Sequence, residues 1–431
     1  MHRLVNQLED RTARIAVLGQ GYVGLLVAMR ASEAGFDVVG LEVDPQRAAA
    51  LAAGHSYVED VPDEVLAAAL DRGYVATADP ADLAGFDLAV ITVPTPLSEG
   101  QPDVSHMEGA ADMVAAHLRP GGLVVLESTT YPGTTEELLG PRIEAACGLR
   151  PGSGFLLGYS PERIDPGNGR FGLRNTPKVV SGVDADSLAA VEAFYGAFVE
   201  KLVPVNSPAE AELVKLLENT FRHVNIALVN ELAVFANNLG VDIWSAIDAA
   251  ATKPFGFMPF TPGPGVGGHC LPVDPSYLSW RVKRRLGETF RFVELANEVN
   301  EHMPKYVVQR VQELLNRDSL AVNGARVLVL GLAYKAGTSD ARETPAMPVM
   351  DGLLDLGAQV TAIDPYVNRV TIDPRVQRAE FSAEALGAAD VVIIVTDHPD
   401  FDYDLVAQRS KRVLDTRNRL RGWDAPHITR L

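Results

Sequence analysis

Cys270 stands in Gly265-Val266-Gly267-Gly268-His269-Cys270-Leu271-Pro272-Val273-Asp274 and is one of only two cysteines in the 431-residue chain. A thiolate is a strong nucleophile toward a carbonyl carbon, and the glycines before it let another group approach the backbone closely. Asp274, four residues on, can return toward the thiol after a turn at Pro272. A cysteine buried among apolar groups would be inert, so the chemical reading needs partners. Lys215, Asn219 and Arg222 supply them, at i, i+4 and i+7 of a helical stretch and therefore on one helix face. A lysine and an amide can stabilise an oxyanion, and a carboxylate such as Asp274 or Glu162 can activate water.

A second constellation indicates what the thiol works with. RIAVLG reads as a buried strand and QGYVGLLVAMRASEAG as a tight turn entering a helix, which yields Gly19-x-Gly21-x-x-Gly24. The following strand, DVVGLEVD, places Glu42 about twenty residues on, where an acid binds an adenosine ribose. The glycines admit a pyrophosphate, and the helix N-terminus offers unpaired N–H groups to its charge. Glu42 would repel a 2′-phosphate, so NAD is expected rather than NADP. Beside a nicotinamide the thiol has a specific use. Hydride abstraction from an alcohol gives an aldehyde, thiolate attack gives a thiohemiacetal, and a second hydride leaves to form a thioester that water hydrolyses to an acid.

The elements that position these groups are legible as periodic runs. LAVITVP, LVVLEST and FLLGYSPE alternate with alanine-rich helical stretches, the pattern of a doubly wound parallel sheet. Ligands of such sheets bind beyond the carboxyl ends of the strands, which marks Thr95, Thr129 and Glu162. From Pro208 to about Gly240 a long helix is expected, with Leu217, Phe221, Val224, Leu228 and Phe235 on the packing face opposite Lys215 and Asn219. TKPFGFMPFTPGPGVGGHCLPVDP, from Thr252 to Pro275, reads as a functional loop whose Phe255, Phe257, Met258 and Phe260 are covered. A second α/β segment begins near Gly324; its first turn, Gly331 to Lys335, lacks the dinucleotide spacing and should bind something else.

Composition narrows the partners. A net charge of −18 argues against nucleic acid and anionic membranes, so an anionic ligand must be held by a few placed cations. No apolar run is long enough to span a bilayer and the N-terminus is charged throughout, so a cytoplasmic protein without membrane partners is expected. The 47 % apolar content builds an ordinary core without a disulfide framework, and Cys147 reads as a small core residue. Nothing suggests a bound metal.

VLGQGYVGL, ITVPTPL, ESTTYPGTT, YSPERIDPG, VKLLENTFRHVNIALVNELA, PGPGVGGHCLPVDP and GLAYKAGTSDARETPA together resemble the nucleotide-sugar 6-dehydrogenases of the UDP-glucose/GDP-mannose dehydrogenase family, along essentially the whole chain. The resemblance implies an NAD-binding domain at residues 1–205, a central helical dimerisation region at 206–316 carrying the cysteine loop, and a Rossmann-like sugar-nucleotide domain at 317–431. The fold expected is α/β, two doubly wound Rossmann-like domains joined by a long central helix, with a homodimer formed through the 208–240 helix. It also implies oxidation of a C6 hydroxymethyl group to a carboxylate, with two NAD consumed per turnover.

Carried over by position, Cys270 is the nucleophile, Lys215 and Asn219 hold the oxyanion, Asp274 assists the thiol and the water, and Glu162 and Thr129 line the reacting carbon. Gly19, Gly21, Tyr22, Val23, Gly24, Glu42, Arg47, Thr95 and Thr129 would hold NAD, with Arg342 reaching it from the second α/β domain. Tyr334, Lys335, Arg417 and the Phe260 to Gly268 loop, including Gly265 and Gly267, would contact the UDP-sugar, beside Glu162, Arg163, Lys215, Asn219 and Arg222. The ribose-binding acid is usually Asp in the family and is Glu42 here. SPERI and Arg222 in ENTFRHVNIA resemble the branch acting on UDP-N-acetylhexosamines, and TKPFGFMPFTPGPG resembles the UDP-N-acetylglucosamine 6-dehydrogenases most. UDP-glucose or dTDP-glucose is the alternative substrate. A two-electron β-hydroxyacid dehydrogenase or an NAD-binding sensor would leave Cys270 and the second α/β segment without a role.

Overall fold

A computed structural model describes residues 2–98, 100–165, 168–268, 270–368 and 370–431, with the side chains of His2 and Cys270 outside the description. The chain divides into two compact units, Met1–Glu218 with Ser276–Gly287, and Asn219–Pro275 with Glu288–Leu431.

The first unit is built on eight strands: β1 (Arg14–Leu18), β2 (Asp37–Leu41), β3 (Val75–Thr77), β4 (Leu88–Ile91), β5 (Leu123–Leu126), β6 (Leu156–Tyr159), β7 (Lys178–Gly182) and β8 (Leu202–Pro204). They form one sheet in the order β8-β7-β6-β5-β4-β1-β2-β3. Helices cover both faces, which explains why the strands are continuous apolar runs rather than alternating ones. Ile15, Val17, Val38, Val90 and Val125 pack into the core on one face, and Ala16, Leu18, Val39, Ile91 and Val124 into the core on the other. The expectation of an all-parallel sheet is corrected at one edge: β7 runs antiparallel to β6, and β8, parallel to β7, runs against the rest of the sheet with it.

The second unit carries β9 (Arg326–Leu330), β10 (Gln359–Ile363), β11 (Gln377–Arg378), β12 (Val391–Ile394), β13 (Val413–Asp415) and β14 (Ile428–Arg430), all parallel, in the order β11-β10-β9-β12-β13-β14. Each unit therefore holds a Rossmann-like sheet, with the reversal of strand order at β1/β4 and at β9/β12.

Six helices matter for the site: α1 (Gly24–Glu33), α2 (Ala185–Tyr195), α3 (Pro208–Leu239), α4 (Ile243–Ala251), α5 (Cys270–Leu286) and α6 (Arg291–Arg317). The long helix is α3, and the expected division of its faces is reversed. Leu217 is 63 % exposed and Phe235 54 %, with Phe221 and Leu228 close behind, whereas Lys215 and Asn219 are buried. Periodicity finds an apolar stripe but does not say what covers it. Arg222, placed by spacing with Lys215 and Asn219, is exposed. The loop reading also changes: residues 253–268 contain no helix or strand, but α5 starts at Cys270. Pro272 lies in its first turn, where no intrahelical donor is lost, and Pro275 is carried inside the helix. Asp274 is thus one helical turn from Cys270, not returned to it by a turn. Phe255, Phe257 and Met258 are exposed, contrary to the expectation that they are covered, and Phe260 alone is partly buried, its ring 5.8 Å from that of Phe221.

Within the first unit α3 is tied to the sheet by Glu212, whose buried carboxylate accepts from the Gly133 and Thr135 amides at 2.5 and 2.8 Å and from the Thr135 hydroxyl at 2.7 Å. Burial pushes this carboxyl up to about 7, against the pull of those donors. A carboxyl raised in the folded state favours folding below its unfolded value and loses that contribution as pH climbs through the folded one. The unfolding midpoint should therefore fall between about pH 4.5 and 7, and Glu212→Gln should make that slope shallower in a calorimetric series.

Candidate active site

The first turn of the first unit shows three glycines with three different jobs. Gly19 follows β1 with φ +90°, a turn that L side chains rarely adopt. A Cβ on Gly24 would lie 1.8 Å from the Gly19 carbonyl oxygen, so only glycine lets α1 pack against the strand end. Gly21 faces open space, with nothing within 4 Å of an added Cβ. That is the geometry a pyrophosphate needs: a sharp turn, an uncluttered backbone and a helix N-terminus behind it. Tyr22 and Val23 are half-buried in the turn.

Glu42 closes β2 and its carboxylate accepts from the amides of Gln20 at 3.2 Å and Asp44 at 3.1 Å, which holds it beside the glycine turn. Arg47 lies over the Tyr57 ring at 5.2 Å and leans on Asp44 at 3.8 Å. Beyond β4 the Thr95 hydroxyl donates to the Thr129 carbonyl at 2.8 Å, so one of the two marked threonines fastens the other's loop.

At the carboxyl end of β6, Glu162 is nearly covered. Its Oε1 accepts from the amides of Arg163 and Ile164, each at 2.7 Å, and Oε2 lies 3.4 Å from Lys178 Nζ. Lys215, one turn after Glu212 on α3, donates to the backbone carbonyl of Glu162 at 2.6 Å. Arg163 does not stand free for a ligand: its guanidinium pairs with Glu218 and donates to the Pro177 carbonyl.

In the second unit Asn219 Nδ2 donates to Asp274 Oδ2 at 2.6 Å, and both side chains are buried. The Cys270 side chain lies outside the described residues. The Phe260 to Gly268 loop sits against residues at the carboxyl end of the second sheet's strands. Gly263 rests on the Arg417 guanidinium, 2.6 Å from where its Cβ would be, and Gly268, at φ +83°, would collide with the Tyr334 ring at 2.8 Å. Gly267 is equally tight against Tyr334 and the Glu343 carbonyl, while Gly265, at φ +135°, approaches Pro345. Burial pulls the Arg417 guanidinium below its ordinary value. Lys335 is half-buried beside Tyr334, and Arg342 forks onto Asp340 at 3.0 and 2.6 Å.

Two groups escaped sequence reasoning. His223, whose imidazole burial pulls below its ordinary value, pairs through Nδ1 with Asn300 and through Nε2 with Asn297; Asn300 accepts from Asn230, and Asn230 accepts from the Gly263 amide at 2.9 Å. This relay anchors the loop, and its signal was there: asparagines at helical spacing inside α3 and α6, where they are poor helix formers. Glu127 and Lys178, a buried ion pair beside Glu162, gave no local signal. Among the described residues no cluster of His, Cys, Asp or Glu is arranged to hold a metal ion, and no helix is long and apolar enough to cross a membrane.

Models of the UDP-glucose/GDP-mannose dehydrogenase family match in chain order: the NAD binding domain over residues 13–199, the central domain over 209–302 and the UDP binding domain over 328–422. The chain belongs to the UDP-glucose/GDP-mannose dehydrogenase family. It is an oxidoreductase whose cofactor is NAD, and the matched NAD binding domain falls within the first unit. The chain is 37 % identical over 412 residues to the UDP-N-acetyl-D-mannosamine dehydrogenase of Pyrococcus horikoshii, covering 94 % of this chain and 95 % of that one. It is 34 % identical over 390 residues to the UDP-N-acetyl-D-glucosamine 6-dehydrogenase of Pseudomonas aeruginosa, covering 90 % and 91 %. A solved UDP-D-ManNAc dehydrogenase from Pyrococcus horikoshii superposes with a TM-score of 0.88 at 35 % identity, covering 97 % of this chain and 98 % of that one. The matched NAD binding domain spans the turn in which Gly24 packs against Gly19. Gly24→Ala should weaken NAD by at least about ten-fold in a calorimetric titration, because the turn must open to admit the methyl.

Proposed function

We propose that this enzyme oxidises the C6 hydroxymethyl group of a UDP-N-acetylhexosamine to the uronic acid in two hydride steps, through a thioester on Cys270. The observation that carries the reading is the preordering of one face of α3: Lys215 is held by the Glu162 carbonyl, and Asn219 by Asp274. An ammonium and an amide fixed one turn apart are the donors an oxyanion needs at the reacting carbon. Cys270 opens α5, and a helix N-terminus favours the thiolate. NAD supplies the hydride acceptor when bound; the chain supplies the nucleophile, the donors and the base.

The two candidate bases divide by what they hold. Asp274 is engaged with Asn219 and stands one turn from the cysteine, which suits it to order the amide and assist the thiol. Glu162, backed by a lysine, suits the water that attacks the thioester. It takes a proton from water as the oxygen bonds to the carbonyl carbon, and the C–S bond then breaks with sulfur leaving as the thiolate. Thr129, at the end of β5, lines the same edge of the sheet. Tyr334, Lys335, Arg417 and the loop anchored by Asn230 are the proposed contacts for the nucleotide diphosphate, which an acidic protein must meet with placed cations. The N-acetyl branch is favoured by SPERI, by Arg222 in ENTFRHVNIA, and by the names of the relatives above.

The test is NADH formation with UDP-N-acetylglucosamine, UDP-N-acetylmannosamine, UDP-glucose and dTDP-glucose side by side, with product masses. Two NADH and an acid from an N-acetyl substrate are expected, with Arg222→Leu weakening that substrate more than UDP-glucose, and Cys270→Ser abolishing release of the second NADH. Acid from a glucose nucleotide alone would move the enzyme out of the N-acetyl branch, and a Cys270→Ser variant at the wild-type rate would remove the thioester.

We also infer a homodimer through the exposed face of α3. Leu213, Leu217, Phe221, Leu228, Leu232, Phe235 and Leu239 line up along it, too much apolar surface to leave in water. Sedimentation should give a dimer for the native chain and a folded monomer for Leu217→Glu with Phe235→Glu.

A further inference from the structure

Lys178 opens β7, which runs antiparallel to its neighbour β6, and this direction is what brings its side chain to the carboxyl end of β6 and β5. There it is 3 % exposed, in an ion pair with Glu127, which follows β5 and is 1 % exposed. Lys178 Nζ also lies 3.4 Å from Glu162 Oε2, 3.4 Å from the Pro161 carbonyl, and 4.8 Å from the centre of the Tyr195 ring. The Tyr195 hydroxyl donates to the other Glu127 oxygen at 3.1 Å. Burial alone would lower the lysine, but the two carboxylates outweigh it and hold it above its ordinary value, while burial pushes Glu127 up against the pull of Lys178.

A buried ion pair is poor evidence for stability, since apolar residues of the same volume commonly do as well. What apolar residues cannot do is hold a third charged group. Oε1 of Glu162 is fixed by two amides of its own chain and Oε2 by Lys178, so the carboxylate has one orientation. Two other charged neighbours are engaged elsewhere: Lys215 is on the Glu162 backbone carbonyl and Arg163 is on Glu218.

We propose that Lys178, seated by Glu127, is a positioning residue that orients the Glu162 carboxylate for hydrolysis of the thioester. The proposal rests on the reading of Glu162 as the water base. Lys178 gives and takes no proton; it acts only through Glu162 and therefore only after both hydrides have left.

Rapid-mixing measurements of NADH on the holoenzyme separate the steps. Glu162→Gln should give a burst of two NADH per site and then turn over at least about 100-fold more slowly. Lys178→Met should keep the two-NADH burst and lower the steady state by about 10- to 100-fold, with both KM values within about three-fold, and Lys178→Arg should recover most of the rate. Where Lys178→Met does not fold, Glu127→Gln with Lys178→Met removes the pair together and should show the same split. In the Glu162→Gln background, Lys178→Met should cost less than about two-fold further, because its effect passes through a group already gone. An equal loss in both backgrounds, or a burst that falls with the steady state, would overturn the proposal and leave the pair a structural one. A Glu162→Gln enzyme at the wild-type rate would instead overturn the reading of Glu162 itself, whatever Lys178 does.

Discussion

Three buried polar contacts on successive turns of α3 fix the register of the helix. Glu212 accepts from the amides at 133 and 135, Lys215 donates a hydrogen bond to the Glu162 carbonyl, and Asn219 donates to Asp274. The spacing, three and then four residues, keeps all of them on one stripe of the helix. Each is buried, so a slip of the helix by one residue would strand a carboxylate, an ammonium and an amide away from their partners. Leaving a buried polar group unpaired costs about 1–3 kcal/mol, and more for a charged one. The opposite side of the helix carries exposed apolar residues, among them Leu217, Phe221, Leu228 and Phe235.

Charge is managed locally in a chain whose total is strongly negative. Lys178 neutralises a pocket that contains two carboxylates, Arg163 answers Glu218, and Arg417 lies under a glycine. These cations are few, buried or half-buried, and each is fixed by its surroundings before a ligand arrives. Groups fixed in this way need no rearrangement when charge develops beside them.

Much of this was legible in the sequence, and the limits have physical causes. The three glycines, the apolar strands, the long helix and the cysteine loop all carry local patterns, since each reflects backbone constraints or periodic burial within one element. The direction of β7 carries none: a strand reads the same whichever way it runs, and Lys178 meets Glu127 across 51 residues of chain. The start of α5 was hidden by prolines, which break a helix interior but are tolerated in its first turn. The apolar stripe of α3 was read correctly as a stripe and wrongly as covered, because amphipathicity reports the face and not its neighbour. The Asn230 relay to Gly263 was missed for the opposite reason: the asparagines were visible, but their partners were not.

The two Rossmann-like sheets show how one topology is turned to two uses. Glu42 and Asp364 occupy matching places, just after the second strand of each sheet, and both accept amides from the first turn. Glu42 does so at 3.2 Å from Gln20, in a turn where Gly21 leaves open space. Asp364 is saturated: Oδ2 accepts from Leu332, Ala333 and His398, and Oδ1 from Tyr366 and Val367. These bonds hold its carboxyl well below the usual carboxylate range against the opposing effect of burial. No acceptor site is left for a ribose, and a Cβ on Gly331 would meet Thr396 at 2.4 Å. The acid that can serve a dinucleotide in the first unit is, in the second, a fastener for the turn that carries Tyr334 and Lys335. What distinguishes the two sites is therefore not the strand order but how many hydrogen bonds one carboxylate has already made.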